Sequence, residues 1–291
     1  MKNSLYVAIL MVFLLFLIAT RPMYTPQDNV VFLDVGQGDS ILFQRGTQQV
    51  LVDGGADTTV LMRLAEEMPW PDRRVEVVVA THPDKDHMGG VFEVVKRYEV
   101  GLVLLSPAPG SSHLQESWLN ELQRDLAAKH VEVRFATRGQ RLILDGLVFS
   151  ILAPWPELVA QLHGETNDGS IVMRADYGDL SVLLTGDAEF IEERALLTDE
   201  AGGKLKVDVL KVGHHGSKGS TSAAFLAAVR PKLAAISAGP NNSYGHPASE
   251  TLGRLAGVAT LRTDQLGSIR LTRANSEWLL SCSQKKCIKS E

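Results

Sequence analysis

Residues Val75–Ala80 form a short, valine-rich run that reads as a buried strand, and the ten residues after it carry four metal-binding side chains. That stretch is Thr81-His82-Pro83-Asp84-Lys85-Asp86-His87-Met88-Gly89-Gly90. Imidazole and carboxylate both bind divalent cations, and the end of a buried strand presents several of them together. A solvated acidic turn is the competing reading. His82, Asp84, Asp86 and His87 at this spacing, directly behind a buried strand, favour a metal loop. Gly89-Gly90 then lets the backbone bend before the next helix.

The same arrangement recurs along the chain. Leu183-Leu184-Thr185-Gly186-Asp187 ends an apolar strand in an acid, which is either a helix N-cap for Ala188–Leu197 or a metal-bridging carboxylate. The first cluster tips the reading toward the bridge. Leu210-Lys211-Val212-Gly213-His214-His215-Gly216-Ser217 ends another strand in two histidines, and Asn241-Asn242-Ser243-Tyr244-Gly245-His246-Pro247 follows a third. Ligand sites of layered α/β folds lie where strands leave the core in this way. His113, His130 and His163 lack that context and read as surface residues.

The rest of the chain supplies a scaffold of matching kind. Strands are expected at Val30–Val35, Ser40–Gln44, Gln48–Asp53, Val131–Phe135, Arg141–Leu144, Leu147–Leu152, Ser170–Ala175 and Leu180–Leu184. Later strands are expected at Val207–Val212, Leu233–Ser237, Thr260–Arg262, Ser268–Leu271 and Glu277–Leu280. Helical spacing marks Thr58–Met68, Val91–Tyr98, His113–Lys129, Ser222–Val229 and Ala248–Leu255. This order suits two mixed sheets packed together with helices outside. No composition break divides residues 30–280, which read as one domain, and 281–291 read as a basic tail.

The N-terminus is of another kind. Leu5–Ala19 is uncharged and almost wholly apolar, with Lys2 before it and Arg21-Pro22 after it. Its 15 residues fall short of the roughly 20 that span a bilayer core and fit a secretory signal better. No clean cleavage site follows, so an uncleaved anchor is the other reading for residues 1–20. Either places the domain outside the membrane, secreted or anchored, behind a linker at 21–29. Cys282 and Cys287 are the two cysteines and read either as a small disulfide loop or as unrelated thiols. The formal net charge of −5 removes the long-range basic attraction typical of nucleic-acid binders, though a local patch or a bound metal supplies positive charge of its own.

The motif His82-x-Asp84-x-Asp86-His87 resembles that of the metallo-β-lactamase superfamily, with Asp84 where most members have histidine. Phe32–Ser40, Leu51–Gly55, His82–Gly90, Thr185–Asp187, Lys211–Ser217 and Tyr244–Pro247 together resemble the extracellular domain of the ComEC competence proteins, over about Val31–Thr272. Only one apolar segment stands where that family carries a multi-span channel, so the likeness is to a stand-alone form. The resemblance implies an α/β fold, an αββα four-layer sandwich after one N-terminal apolar helix, with two divalent ions, zinc or manganese, at one edge. It implies His82, Asp84, Asp86 and His87 as ligands, Asp187 as bridge and Asp53 as a carboxylate orienting the ligand loop. One of His214 and His215 completes a metal site, with His215 favoured, while the other, or His246, faces the substrate. Asn167 or Asp168 stands where the family has a mid-chain histidine.

The activity so implied is metal-assisted hydrolysis, most simply a phosphodiesterase or nuclease acting on DNA outside the membrane, with His214, His246 and Asp86 in catalytic roles. A cell-envelope phosphodiester of the phosphocholine type, or a lactone, is the second expected substrate class. A non-catalytic binding module of a DNA-uptake or surface assembly is the third reading.

Overall fold

A computed structural model describes residues 28–162, 166–198, 205–285 and 287, together with Tyr6 and Met11. Apart from those two residues the apolar N-terminal segment lies outside the described residues, as does His163. Among the described residues no helix is long and apolar enough to cross a membrane.

The first half contains β1 (Asp28–Phe32), β2 (Ile41–Arg45), β3 (Gln48–Val52), α1 (Thr59–Glu67), β4 (Arg74–Ala80), α2 (Lys85–Arg97), β5 (Glu99–Leu105), α3 (His113–Ala128) and β6 (Glu132–Phe135). The second contains β7 (Arg141–Leu144), β8 (Leu147–Ala153), α4 (Pro156–Val159), β9 (Val172–Tyr177), β10 (Leu180–Leu184), α5 (Phe190–Thr198), β11 (Val209–Lys211), α6 (Ala223–Val229) and β12 (Leu233–Ile236). The chain closes with α7 (Ser249–Arg254), β13 (Ala259–Arg262), α8 (Thr263–Leu266), β14 (Ile269–Ala274) and β15 (Glu277–Cys282).

Two mixed sheets result, ordered β15-β14-β1-β2-β3-β4-β5-β6 and β13-β12-β11-β10-β9-β8-β7. Alternation along each strand sorts the side chains. Val30 and Phe32 of β1 join Val50 and Val52 of β3 in the core between the sheets, against Phe149, Met173, Val182 and Leu184 of the second sheet. Val31 and Leu51 face the other way, onto Val60 and Leu64 of α1, Val91 and Val94 of α2, and Leu122 and Leu126 of α3. On the far side Leu183 and Leu210 pack on Leu196 of α5 and Phe225 of α6. The layers are thus helix, sheet, sheet, helix, the sandwich that the resemblance implies.

Strand register positions the chemistry. β3 and β4 run parallel with Val52 opposite Val79, so Asp53 and Thr81 leave the sheet side by side. β10, β11 and β12 are also parallel, with Leu183 opposite Leu210 and Lys211 opposite Ala235. The strand ends that carry Asp53, Thr81, Asp187 and His214 therefore open on one edge of the sandwich.

Three expectations change. β5 lies in a stretch with no expected element. The helix expected at Val91–Tyr98 begins earlier, at Lys85, so Asp86 and His87 occupy its first turn and Asp84 stands just before it. Gly89 and Gly90 consequently do not bend the chain ahead of a helix; they lie inside one. Their use is close packing: a Cβ at Gly90 would stand 1.9 Å from the Gly54 carbonyl oxygen, and one at Gly89 2.2 Å from that of Ala56. The Asp53–Ala56 loop rests directly on α2, with Gly54 N–H donating to His87 O at 2.8 Å and Gly90 N–H to Gly55 O at 2.9 Å. Finally, β15 extends to Cys282, inside the stretch expected to be tail, and Cys282 is disulfide-bonded to Cys287.

Candidate metal centre

Asp53 organises the first half of the site from a backbone held at φ 60°. One carboxylate oxygen accepts from Thr81 N–H at 2.8 Å, the other from Thr81 Oγ1 at 2.7 Å and from His87 Nδ1 at 2.9 Å. His87 is thereby turned so that Nε2 points away from Asp53. The same device recurs at each neighbouring imidazole. His215 Nδ1 lies 3.0 Å from Ser237 O, His214 Nδ1 2.8 Å from Glu189 Oε1, and His82 Nδ1 3.2 Å from Thr81 Oγ1. With Nδ1 engaged, the Nε2 atoms converge on Asp187, the arrangement that metal-ligating histidines adopt.

The distances around Asp187 are short. Oδ1 is 3.2 Å from His87 Nε2, and Oδ2 is 3.4 Å from His215 Nε2, 3.7 Å from His214 Nε2 and 3.9 Å from His82 Nε2. Asp86 Oδ2 is 3.2 Å from His215 Nε2, whose distance to His87 Nε2 is 3.3 Å. Asp84 keeps Oδ2 3.8 Å from His82 Nε2 while its Oδ1 accepts from Gln115 Nε2 at 2.8 Å and Thr166 Oγ1 at 2.7 Å. A tetrahedral ion with bonds of 2.0–2.1 Å separates its ligand atoms by about 3.3 Å. Asp86, His87, His215 and Asp187 match that edge length, and the His82, Asp84, His214 and Asp187 set is a few tenths wider. Asp187 Oδ1 and His82 Nε2 are buried without hydrogen-bond partners, as donors reserved for an ion would be.

The adjacent histidines correct an expectation. They do not continue the strand, which ends at Lys211. Val212–Ser217 turns through a short 3-10 segment in which His214 and His215 have φ 45° and 51°. Left-handed backbone is costly for residues with a Cβ, and such strain concentrates at functional sites. Here it aims both rings at Asp187. Asp187 is not a helix cap either, since α5 starts three residues later, at Phe190. Asp168 faces away from the cluster: its Oδ1 accepts from Glu189 N–H at 3.1 Å and Glu192 N–H at 3.3 Å. Asn167 approaches His214, with Nδ2 3.4 Å from Nδ1. His246 stands at the mouth, its ring 5.2 Å from that of His214 and its Nδ1 unpartnered. His113 and His130 are exposed.

Two buried residues to which the motif reading assigns no role belong to the site. Asp39, in the Gly36-Gln37-Gly38-Asp39 turn, forms an ion pair with Lys211, which also donates to Gly186 O at 2.8 Å and lies 3.6 Å from Asp187 Oδ1. Asp39, His87, Asp187 and His215 form one compact quartet of ligand atoms. Asp39, however, faces the rear nitrogens, 3.4 Å from His215 Nδ1 and 3.9 Å from His87 Nδ1. It orients the two rings from behind. A lysine inside the apolar run Val209–Val212 was the available signal, because a buried ammonium requires a carboxylate.

Charge explains the proton affinities. Burial pushes Asp39 up, but Lys211, then His215 and His87, bring it down to about 2. Burial also raises Asp187, and His215 and His87 outweigh it, leaving the carboxyl well below its usual range. Burial opposes a charge on His215, yet Asp187 and Asp39 lift it to about 9. Burial opposes a charge on His87 as well, and Asp187 and Asp53 outweigh it, holding the ring well above its ordinary value. His82 moves down, through burial and then His87. A divalent ion held here would compete with protons for His87 and His215.

Behind the cluster, Glu192 is fully buried near Asp168 and Glu193. Burial first, then those two acids, raises its carboxyl well above the usual 4.5. The folded chain thus retains a proton that the unfolded chain releases above its ordinary value. Stability from this group is full below that value and declines as pH rises toward the folded one, by about 1.4 kcal/mol per unit. Glu192→Gln removes the dependence. Urea denaturation at pH 5 and pH 8 should show the variant gaining on the parent as pH rises; parallel pH profiles would refute the assignment.

The cleft over the cluster is lined by Gln37, Asp84, Asp86, Asp187, His214, His215, Tyr244 and His246. Larger cavities, of about 510 Å³ beside the Cys282–Cys287 loop and about 490 Å³ along Arg141 and Arg174, share no residue with it.

Fold and site define a metal-dependent hydrolase class, and residues 33–239 match the family model of the metallo-beta-lactamase superfamily. The chain belongs to that superfamily. Within it, the chain is similar to competence proteins. It is 31% identical to "ComE operon protein 3" of Bacillus subtilis over 90% of this chain and 35% of that protein. It is 30% identical to "Competence protein ComA" of Neisseria gonorrhoeae over 87% of this chain and 34% of that one. The chain thus spans about a third of the length of these relatives. Among solved structures, the metallo-beta-lactamase fold protein YhfI of Bacillus subtilis shares the fold with a TM-score of 0.52 at 13% identity, covering 80% of this chain and 95% of its own.

Proposed function

We propose that the chain is a metal-dependent phosphodiesterase that cleaves DNA outside the membrane. The observation that carries this reading is the gathering of six ligand-type side chains around one shared carboxylate. His82, Asp84 and His214 suit one divalent ion and Asp86, His87 and His215 a second, with Asp187 common to both. In this assignment His214 takes the position of the mid-chain histidine that Asn167 and Asp168 do not fill. Each set offers two nitrogens and two carboxylates, which admits manganese as readily as zinc.

Bound ions supply Lewis-acid activation of water and of the scissile phosphoryl group. The chain's own part is positional. Asp53, Glu189 and the Ser237 carbonyl lock His87, His214 and His215 with Nε2 inward. His246, which lines the cleft edge-on to His214, is placed to pass a proton to the leaving oxygen.

The DNA assignment draws on the competence relatives and on "Recombination protein 2" of Haemophilus influenzae, 34% identical over 81% of this chain and 27% of that protein. The apolar Leu5–Ala19 segment serves in this reading as signal or anchor. Net charge −5 and the acids around the cleft support a second substrate class, a zwitterionic envelope diester such as phosphocholine on a polymer, or a lactone. A purely binding module fits poorly with four histidine rings held through Nδ1 around one carboxylate, an arrangement that binding alone does not call for.

The test is an activity panel on the full chain loaded with manganese or zinc. Single- and double-stranded DNA, a phosphocholine diester and a lactone are offered in parallel. Metal-dependent cutting of DNA is expected. Intact DNA alongside cleavage of the phosphocholine ester or the lactone transfers the reading to the second class; no cleavage and no retained metal leaves the binding module.

A further inference from the structure

We propose that Tyr244 is a stacking platform for the nucleobase beside the scissile phosphate, so that the site takes single-stranded nucleic acid; this rests on the phosphodiesterase reading above. Tyr244 is 69% exposed although it lines the metal cleft, an unusual position for a large aromatic ring. One face is occupied, because the ring stacks on His246 with centroids 5.8 Å apart and planes at 24°. The ring's exposure leaves the remainder open to solvent. His246 in turn meets His214 edge-on at 5.2 Å and 78°, so the stack runs from solvent to the metal-facing histidines.

The loop beneath the ring is pinned. Asn242 Oδ1 accepts from His246 N–H at 3.0 Å, while its Nδ2 donates to Gly239 O at 3.0 Å and to His246 O at 2.6 Å. A ring held this way loses little freedom when a ligand lies on it. The cleft measures only about 70 Å³, so a base flanking the bound phosphate must lie at the rim that Tyr244 forms. Every base has a π-face, so such a platform tolerates any sequence. In a duplex both faces of a base are already covered, and it must leave the stack to reach the ring.

The experiment compares the manganese-loaded full chain with Tyr244→Ala and Tyr244→Phe on two labelled strands of equal length, an oligothymidylate and an abasic tract. The parent should show a KM for the thymidylate lower by roughly tenfold to a hundredfold, the range of one base–aromatic stack. Tyr244→Ala should erase that preference and Tyr244→Phe keep it. Equal KM values for the parent on both strands overturn the platform, as does an equal loss on both strands in Tyr244→Ala, the mark of a ring that only props His246. A parent that cuts neither strand overturns the DNA reading itself and the platform with it.

Discussion

Alanine at Asp187 is expected to reduce hydrolysis by about a thousandfold or more and to lower the metal bound per chain. The carboxylate lies within 4 Å of His82, His87, His214 and His215 at once. Removing it withdraws a donor from both sets, and Lewis-acid stabilisation worth several kcal/mol corresponds to at least three orders of magnitude in rate. The fold should survive, because Asp187 takes no part in capping α5 and its backbone N–H is held by Ser170 Oγ at 3.0 Å. Metal content by elemental analysis, circular dichroism and turnover separate these effects. A folded Asp187→Ala chain that keeps the parent's full metal content, or about a tenth of its activity, excludes Asp187 as a bridge.

What the sequence made legible was the chemistry at strand ends. Apolar runs such as Val75–Ala80 and Leu180–Leu184 announce buried strands, and a His, Asp or Gly shortly after them announces a site. The four-layer order came from the resemblance, with the strand and helix pattern in agreement. Three things stayed hidden for physical reasons. β5 follows α2 with no glycine or proline between Arg97 and Glu99, so no local break marks where helix becomes strand. The start of α2 is written in His, Asp and Gly, poor helix formers, and the helix exists there because Gly54 and Gly55 bond to it. The left-handed turn at His214 and His215 likewise depends on contacts from Ser237, Glu189 and Asp86, which come from other segments of the chain. Patterns within a window of residues do not contain these partners.

The Asp39–Lys211 pair joins the two halves at the metal edge, and its loss is expected to be the largest stability effect at the site. Both side chains are essentially inaccessible, and Asp39 comes from the turn after β1 while Lys211 ends β11 in the other sheet. Lys211→Met strands a buried carboxylate beside Asp187, and breaking a buried pair on one side costs about 3–5 kcal/mol. The double variant Asp39→Asn with Lys211→Met removes both charges and should regain at least half of that loss, because the cost lies in the uncompensated charge more than in the missing contact. Urea denaturation with a chelator present measures this without any contribution from metal. Asp39→Asn alone has a second, separable effect: it weakens the grip on His215 and His87 from behind, and metal affinity should fall about tenfold to a hundredfold. A single Lys211→Met within 1 kcal/mol of the parent, or a double variant no more stable than the single, would show that the pair is a bystander. The stability and affinity measurements answer different questions, and only their joint outcome assigns Asp39 to the metal rather than to the fold alone.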